Sequence, residues 1–286
     1  MPTEVTPVSD VVARMLAVLD HAPSALLSDF DGTLSPIAPT PEAAFLHPDL
    51  VHVLPELVTK APLFGIITGR AVADARHKVG VEGILVVGNH GLEWFDRGEY
   101  RAHPAGVAAE QAIVDALAGI EEDLKALDRD LTGMVFENKR LSASIHYRLV
   151  ADPETFDAPL TAITQRRADA FGLRMTTGKM MVELRPAAQV SKGSAVEEIV
   201  TSHGLRGAVF LGDDVTDVDA FRAIARLREA GVVEAGLSVG VLSADTNPAI
   251  AEMADVLVRD VNEVAAVFVE LAKRLPGREP LKDGEA

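Results

Sequence analysis

Hydrophobic and polar positions follow two different periods along this chain. Short apolar runs such as Leu63 to Ile67 predict buried strands, while apolar residues that recur every three or four positions predict amphipathic helices. Runs of the two kinds follow one another up to about His103 and again after Arg185-Pro186. Because alternating strands and helices are typical of a parallel sheet covered by helices, we predict that arrangement for both segments.

The ends of the apolar patterns and the turn residues set the bounds of these elements. The predicted helices cover residues 10–20, 48–60, a segment ending at 79, a segment starting near 191, 215–228 and 262–274. The predicted strands are one that ends at Asp29, the runs 63–67, 84–87, 208–211, 237–241 and 256–258, and a hairpin within 92–101. Ser9 or Asp10 is expected to cap the first helix.

The segment between the two alternating parts has a different pattern. Residues 105–127 and 153–171 are predicted as helices, whereas 133–139 and 141–148 alternate strictly between apolar and polar positions, as strands do. Two more short strands surround Gly178. This α-β-β-α-β-β order predicts an antiparallel sheet with helices on one face, which forms an α+β domain inserted into the first.

The predicted fold is therefore α/β, with a Rossmann-like core that has helices on both faces of a parallel sheet and an inserted α+β (αββαββ) unit. We place the first part of the core at 1–103, the inserted domain at 104–184, the second part of the core at 185–275 and a disordered tail at 276–286. A chain of 286 residues is long enough for two domains. Its 48% hydrophobic content and mean hydropathy of +0.17 indicate a folded globular protein.

Composition excludes several classes of protein. The chain has no cysteine, which excludes disulfides, thiolate metal sites and a cysteine nucleophile, and fits a reducing cytoplasm. The first residues do not form a secretory signal, no glycosyltransferase-like region is found before the core, and no apolar run approaches the ~18 residues that a membrane span needs. We expect a soluble, cytoplasmic monomer.

The net charge of −16 restricts the partners of this chain. Nucleic acid and anionic membrane surfaces would be repelled at long range, so neither is expected to bind. A phosphorylated small molecule would be repelled as well. Binding such a ligand therefore requires a bound cation and a few well placed basic side chains.

Carboxylates stand at the ends of two predicted strands. Asp29 and Asp31 follow one apolar run, and Asp213, Asp214 and Asp217 follow another. At the carboxyl ends of parallel strands such groups can bind a divalent cation through oxygen, while one carboxylate attacks a substrate and another transfers protons. Aspartate is also an ordinary turn former, so each cluster has a structural alternative.

Thr68 and Lys192 lie at comparable positions. Thr68 directly follows the strand 63–67, and Lys192 lies near the start of a helix. Thr68 before Gly69 has a structural alternative as a strand-ending residue. A cation in the first turn opposes the helix dipole, so Lys192 gains nothing from its place in the helix and favours a functional interpretation.

Four stretches of this chain, taken in order, resemble the motifs of the haloacid dehalogenase superfamily, whose members are mostly phosphatases: Asp29-Phe30-Asp31-Gly32-Thr33, Thr68, Lys192 and Gly212-Asp213-Asp214. Further stretches resemble the trehalose-6-phosphate phosphatases: Gly88 to Glu93, Glu137-Asn138-Lys139 with Ser142, His146-Tyr147-Arg148, Gly178-Lys179 through Glu183-Leu184-Arg185-Pro186, and Gly212 to Asp217. The resemblance covers about residues 24–270. Val218 stands where the family commonly has Glu, which we interpret as tuning and not as loss of activity.

The resemblance implies a cap domain of the C2 type and a Mg²⁺-dependent phosphatase that acts on a small-molecule sugar phosphate through an aspartyl phosphate. It implies Asp29 as the nucleophile, Asp31 as the proton donor and acceptor, and Thr68 and Lys192 as the residues that hold the phosphate and the nucleophile. The carboxylates implied for the Mg²⁺ site are Asp29, Asp31, Asp213, Asp214 and Asp217. The residues implied for substrate binding are Gly69, Arg70, Asn89, His90, Glu137, Lys139, His146, Arg148, Lys179, Glu183 and Arg185.

Most of these substrate-binding candidates share one face of the inserted sheet. Side chains alternate along a strand, so Glu137 and Lys139 point to one side while apolar residues point to the other. The apolar residues, which can pack on the inserted helices, are Phe136, Ile145, Tyr147, Val182 and Leu184. The polar row is either a solvated sheet face or a sugar-binding face, and the Asn89-His90-Gly91 turn is either structural or part of the site.

Two classes of function stay open. The first is a Mg²⁺-dependent sugar phosphatase that hydrolyses trehalose 6-phosphate, with sucrose-phosphate or mannosyl-phosphoglycerate hydrolysis as alternatives in the same class. The second is a phosphate-responsive module, because receiver domains also use Asp, Thr, Lys and Mg²⁺. A receiver domain would be less than half this length and would have no use for Asp31 as a proton donor, so we favour the enzyme.

Overall fold

The computed structural model describes residues 4–244 and 246–276 of the chain. In this part of the chain the strands form two sheets, one of eight strands and one of four. None of the helices formed by the described residues combines the length and the apolar composition that crossing a bilayer requires. The tail for which we predict disorder, 276–286, lies outside the described residues except for Pro276.

The strands are β1 (Ser24–Ser28), β2 (Leu63–Ile67), β3 (Leu85–Gly88), β4 (Glu93–Asp96), β5 (Glu99–Ala102), β6 (Val135–Asn138), β7 (Ala143–His146), β8 (Leu173–Gly178), β9 (Met181–Pro186), β10 (Gly207–Gly212), β11 (Ala235–Val241) and β12 (Val256–Val258). The helices are α1 (Val8–Leu19), α2 (Pro48–Lys60), α3 (Val72–Val79), α4 (Pro104–Lys125), α5 (Pro153–Ala170), α6 (Lys192–Ser202), α7 (Val215–Glu229), α8 (Pro248–Met253) and α9 (Val261–Arg274).

The eight-stranded sheet forms the core, in the order β12-β11-β10-β1-β2-β3-β4-β5. Its strands run parallel from β12 to β3, and β4 and β5 continue it as an antiparallel hairpin. Ser28 at the end of β1 pairs with Leu211 of β10. The residues that follow these two strands therefore lie side by side. This mixed sheet with helices on both faces confirms the predicted fold class.

Two apolar layers cover the faces of the core sheet, because successive residues of a strand point to opposite sides. Leu26 of β1 points into the layer formed with α1, α2 and α9, where Phe64 and Phe268 meet edge to face at 6.3 Å between ring centroids. Leu27 points into the other layer, with α6, α7 and α8. The buried strands thus need apolar residues at consecutive positions, which explains their continuous apolar runs.

The four-stranded sheet forms a cap in the order β6-β7-β9-β8, with antiparallel neighbours. Helices α4 and α5 cover one of its faces. The apolar side chains predicted for that face are buried in the cap core or packed against it: Phe136, Ile145, Tyr147, Val182 and Leu184. The polar face of the sheet is left to face the core domain. The cap boundaries at 104 and 184 stay our proposal.

One local prediction was wrong, and one short helix was missed. Helix α1 begins at Val8 after Pro7, so Ser9 and Asp10 lie in its first turn and do not cap it. Helix α8 was not predicted, because six residues are too few for a helical period to be recognised. Asn247 caps α8 by accepting a hydrogen bond from the amide of Ala249.

Candidate active site

The sequence-predicted core residues meet at the carboxyl ends of three neighbouring strands. Asp29 follows β1, Thr68 follows β2 and Asp213 follows β10. The amide of Asp29 donates to the carbonyl of Leu211 at 2.9 Å, which fixes it beside the end of β10. Because the strands are parallel and adjacent, their ends converge on a single point, where open α/β sheets bind ligands.

Lys192 lies between two carboxylates at the base of the site. Its Nζ is 2.9 Å from Oδ1 of Asp29 and 2.7 Å from Oδ1 of Asp217. The lysine is 2% exposed, so its charge depends on these two partners. They explain why a cation occupies the first turn of α6, which Ser191 caps.

Burial and charge act in opposite directions on these groups. Burial raises the pKa of Asp29 well above its usual value, and Lys192 offsets only part of that effect. The pKa of Asp217 is raised for the same main reason. Burial alone would lower the pKa of Lys192, but Asp217 and Asp29 outweigh it and raise the pKa. The lysine therefore stays charged.

Asp29, Asp213 and Asp217 form a group that could hold a metal ion. One carboxylate oxygen from each lies within 4.8 Å of the others. Oδ1 of Asp213 is buried without a hydrogen-bond partner among the described residues, and burial, followed by the charge of Asp217, raises the pKa of Asp213 to about 7. An all-carboxylate donor set with one unpartnered oxygen fits a hard divalent cation such as Mg²⁺.

Asp217, the third carboxylate of that group, is hydrogen-bonded to protein donors through both of its oxygens. Oδ2 of Asp217 accepts hydrogen bonds from the amides of Asp213 at 3.1 Å and Asp214 at 3.0 Å, while Oδ1 binds Lys192. Gly32 approaches the group closely, because its φ is +79° and a Cβ there would overlap the carboxylate of Asp213. The loop after β1 therefore requires glycine at this position.

Asp31 does not belong to this metal-capable group. Arg70 binds both of its oxygens, Nε to Oδ2 and Nη2 to Oδ1, each at 2.7 Å. The guanidinium also donates to Asp74 at 2.6 Å and to the carbonyl of Pro41 at 3.1 Å. The Asp31 side chain is thus held in one orientation, and most donors of Arg70 are already used.

A cleft with an empty volume of ≈ 1050 Å³, including its open mouth, lies between the core and the cap. The sequence-predicted residues that line it include the catalytic candidates Asp29, Asp31, Thr68 and Lys192 with Asp213 and Asp214. The predicted substrate-binding residues that line it are Gly69, Arg70, His90, Glu137, Lys139, His146, Arg148, Lys179 and Glu183. Chemistry and recognition residues therefore share one cleft.

Glu183 is held as a carboxylate in the wall of this cleft. Lys139 Nζ contacts its Oε1 at 2.7 Å, and Nε2 of His90 lies 3.3 Å from its Oε2. Burial would raise the pKa of Glu183, but Lys139 and His90 outweigh burial and lower the pKa well below its usual value. Lys139 also donates to the carbonyl of Gly69 at 3.0 Å, which joins cap to core.

Two predicted substrate-binding residues, Asn89 and Arg185, are not among the residues that line the cleft. Asn89 is fully buried; its Nδ2 donates to Glu93 at 2.6 Å, and its Oδ1 accepts from Ser142 at 2.6 Å. Arg185 is 5% exposed and donates to the carbonyl of Val190 at 3.3 Å. Neither residue borders the cleft, so we propose that both support the junction between cap and core; their role in substrate binding stays a prediction.

Sequence reasoning missed several residues that line the cleft. They are Ile37, Ala38, Pro39, Thr40, Pro41, Ser144, Gly178, Met181 and Thr216. Ser144 lies two positions before His146 on β7, so the alternation of the strand could have indicated it. The loop 37–41 carries no charge and no period, and the sequence gives no comparable signal for it.

Comparison with known proteins adds a family and a fold. A family model described as trehalose-phosphatase matches residues 27–254. A trehalose-phosphate phosphatase of Mycobacterium tuberculosis is 32% identical over 250 residues, which are 84% of this chain and 62% of that protein. An uncharacterized glycosyl hydrolase of the same species is 37% identical over 231 residues, 78% of this chain and 17% of that protein. The chain thus spans less than two thirds of these curated relatives.

Solved structures show the same fold. The C-terminal domain of a trehalose-6-phosphate phosphatase from C. albicans superposes with a TM-score of 0.76 at 21% identity, covering 95% of this chain and 98% of that one. A trehalose-6-phosphate phosphatase related protein superposes with a TM-score of 0.69 at 24% identity, covering 87% and 97%. A haloacid dehalogenase-like hydrolase from Bacteroides thetaiotaomicron, with a TM-score of 0.58 at 12% identity, covers 87% and 99%.

The buried carboxylate group predicts a pH effect on stability in the absence of metal. The pKa of Asp213 is about 7 in the folded protein against an ordinary value of 3.8, so the folded state binds more protons between these limits. Its contribution to the free energy of unfolding is full below pH 3.8 and is lost as pH rises through 7, by a few kcal/mol at ~1.4 kcal/mol per pKa unit.

Denaturant unfolding of the parent and of Asp213→Asn in EDTA at pH 5.0 and 7.5 measures this effect. The comparison is needed because His90, whose pKa is lowered to about 4, acts in the opposite direction between pH 4 and 6.5. The free energy of unfolding of Asp213→Asn, relative to that of the parent, should rise from pH 5.0 to 7.5. An unchanged difference would show that Asp213 does not titrate in this range.

Proposed function

The chain belongs to the trehalose-phosphatase family, and on that premise we propose that it hydrolyses trehalose 6-phosphate to trehalose and phosphate. The observation that carries the proposal is the placement of Asp29. This buried carboxylate is held by Lys192 at the floor of a cleft whose cap wall is lined with hydrogen-bonding side chains. Such an arrangement supplies a nucleophile and a sugar-binding wall in one enclosed site.

The first half of the proposed reaction forms a bond between Asp29 and phosphorus. Lys192 holds Oδ1 of Asp29, which leaves the second carboxylate oxygen free to attack the phosphoryl group. Lys192 and the hydroxyl of Thr68 stabilise the phosphoryl oxygens. As the bond between phosphorus and the sugar oxygen breaks, Asp31 donates a proton to that oxygen, and trehalose leaves.

The second half breaks the aspartyl phosphate. Asp31, now ionised, takes a proton from a water molecule, whose oxygen attacks phosphorus; the bond to Asp29 breaks, and phosphate leaves. Arg70 orients Asp31, because Nε and Nη2 each donate to one of its oxygens, and each oxygen keeps a lone pair for the transferred proton. We therefore propose that Arg70 positions the proton-transferring group and is not mainly a substrate ligand.

The proposed cofactor is Mg²⁺, held by Asp29 and Asp213. These two side chains offer oxygens in the metal-capable group, whereas both oxygens of Asp217 are bonded to protein donors. Asp217 thus supports the site by orienting Lys192. When bound, the cation supplies positive charge that screens the phosphate dianion from the carboxylates. We propose that Asp214, which lines the cleft, supports the cation. Among the predicted metal ligands, the Asp31 carboxylate is the least suited to bind it, because Arg70 already binds that carboxylate.

Further proposals concern partners and place of action. We propose a sugar phosphate as the ligand, because five basic side chains offset most of the charge of the six carboxylates that line the cleft, and the proposed Mg²⁺ would add further positive charge. The five basic side chains are Arg70, Lys139, Arg148, Lys179 and Lys192. These local cations compensate for the overall charge of −16, which repels anions at long range. We also propose a cytoplasmic location, supported by the absence of cysteine from the sequence.

Phosphate release from a panel of sugar phosphates tests the proposed function. Among trehalose 6-phosphate, sucrose 6-phosphate, mannosyl-phosphoglycerate and glucose 6-phosphate, the first should show the highest kcat/KM. Asp29→Asn should abolish turnover of every substrate, because an amide cannot attack phosphorus, and Asp31→Asn should slow both halves of the reaction by about 10²-fold or more. A higher kcat/KM for another member of the panel would reassign the substrate, and activity of Asp29→Asn, with deamidation excluded by mass spectrometry, would remove Asp29 as the nucleophile.

Metal removal gives a second prediction. Activity should vanish in EDTA and return with Mg²⁺, whereas Ca²⁺ should inhibit, because its larger and looser coordination shell misplaces the nucleophile. Asp213→Asn should need a higher Mg²⁺ concentration for half-maximal activity. Steady-state rates over a Mg²⁺ titration measure both effects. Full activity after thorough chelation would contradict the metal-dependent mechanism.

A third prediction separates recognition from chemistry. His146→Ala or Glu183→Ala should lower kcat/KM for trehalose 6-phosphate by about 10-fold or more, the scale of a lost hydrogen bond to a charged group. Hydrolysis of a small aryl phosphate, which has no hydroxyls for the cap to bind, should stay close to that of the parent. Equal losses on both substrates would instead show that these residues support folding or the core site.

A further inference from the structure

The two walls of the cleft differ in chemistry. The cap wall is lined by charged and polar residues such as Glu137, Lys139 and Glu183. On the core side, the loop after β1 supplies a second wall, in which five consecutive residues, Ile37 to Pro41, line the cleft without a single charge. A cleft for which we propose a phosphorylated, hydroxyl-rich ligand therefore has one uncharged and mostly apolar stretch, and the proton-transfer and phosphate-binding roles do not explain it.

Ile37 is the most conspicuous part of this wall. It is 44% exposed although it is a large aliphatic residue, and it opens onto the cleft. The neighbouring Ala38 lines the cleft as well and packs against the core layer, which anchors the loop beside Ile37. An exposed apolar surface within a binding cleft is typical of a surface that a ligand covers.

Hydrogen bonds to the core hold the C-terminal end of this wall. Arg70 donates to the carbonyl of Pro41 at 3.1 Å, and Lys78 donates to the carbonyls of Glu42 at 3.0 Å and Ala44 at 3.1 Å. Pro39 and Pro41 restrict the backbone dihedrals further. A ligand that packs on this wall does not have to order the loop, so the contact adds to affinity with little entropic loss.

A pyranose ring matches the two walls. Its hydroxyls project from the rim, while its faces carry C–H groups that gain free energy on leaving water. We propose that Ile37–Pro41 is a specificity wall that receives the C–H face of a sugar ring while the cap binds the hydroxyls. This inference rests on the proposed function, and it adds that the cleft selects cyclic sugar phosphates over acyclic polyol phosphates of equal charge.

Kinetics with a ring and chain pair tests the wall. Glucose 6-phosphate and sorbitol 6-phosphate carry the same phosphate and equally many carbons, but only the first presents a ring face. The parent should prefer the ring by about 10-fold in kcat/KM, and Ile37→Ser should reduce that ratio by about 5-fold, mainly through KM, since about half a buried isoleucine side chain is lost. Ile37→Val should keep most of the preference.

Val51→Ser provides a matched control, because Val51 is 49% exposed on α2 and does not line the cleft. Its ratio should equal that of the parent, and all variants should melt within a few degrees of the parent, since the substituted side chains are half exposed. A parent without ring preference, or an Ile37→Ser variant that keeps the full preference, overturns the inference. Trehalose 6-phosphate is assayed separately, so a parent that hydrolyses glucose 6-phosphate but not trehalose 6-phosphate contradicts the proposed function and leaves the ratio readable.

Discussion

The ion-pair group of Asp29, Lys192 and Asp217 is the interaction on which the rest of the structure depends. Three charged groups are almost fully buried, and breaking such a group by removing one partner typically costs about 3–5 kcal/mol. Their placement fixes three elements at once: the end of β1, the first turn of α6 and the first turn of α7. Helix α6 follows directly after the cap, so the same pairs also fix the return of the chain from the cap into the core.

Burial strengthens the electrostatic interactions within this group, which matters for its chemistry as well as for stability. Water screens the charge of a buried carboxylate less, so a fixed ammonium acts on it strongly, as the proposed divalent cation would. Neither would have comparable effect at the protein surface. The apolar layers on both faces of the sheet are therefore part of the site, because they exclude water from the strand ends where Asp29 and Asp213 lie.

Most features encoded in local sequence were predicted correctly, apart from the cap of α1 and the short helix α8, whereas features that depend on tertiary contacts were not. The strand ends that deliver Asp29, Thr68 and Asp213 follow from apolar runs broken by turn residues, and β2 and α2 have the predicted bounds. The pairing of Arg70 with Asp31 joins residues far apart in the chain, and no periodicity reveals it. The burial of Asn89 likewise depends on Ser142 of the cap, which local sequence does not place.

The junction at Asn89 has a consequence for exchanging parts between related enzymes. Asn89 belongs to the core, yet it is hydrogen-bonded to Ser142 and to the carbonyl of Lys139 in the cap. It also donates a hydrogen bond to Glu93, which lies in the hairpin that precedes the cap. The structural unit that includes the cap thus extends beyond the points where the chain enters and leaves the cap. If the cap of this chain were grafted onto another core, Lys139 and Ser142 would lose the buried amide of Asn89 to which they are hydrogen-bonded. Successful grafting would require the turn after β3 to travel with the cap.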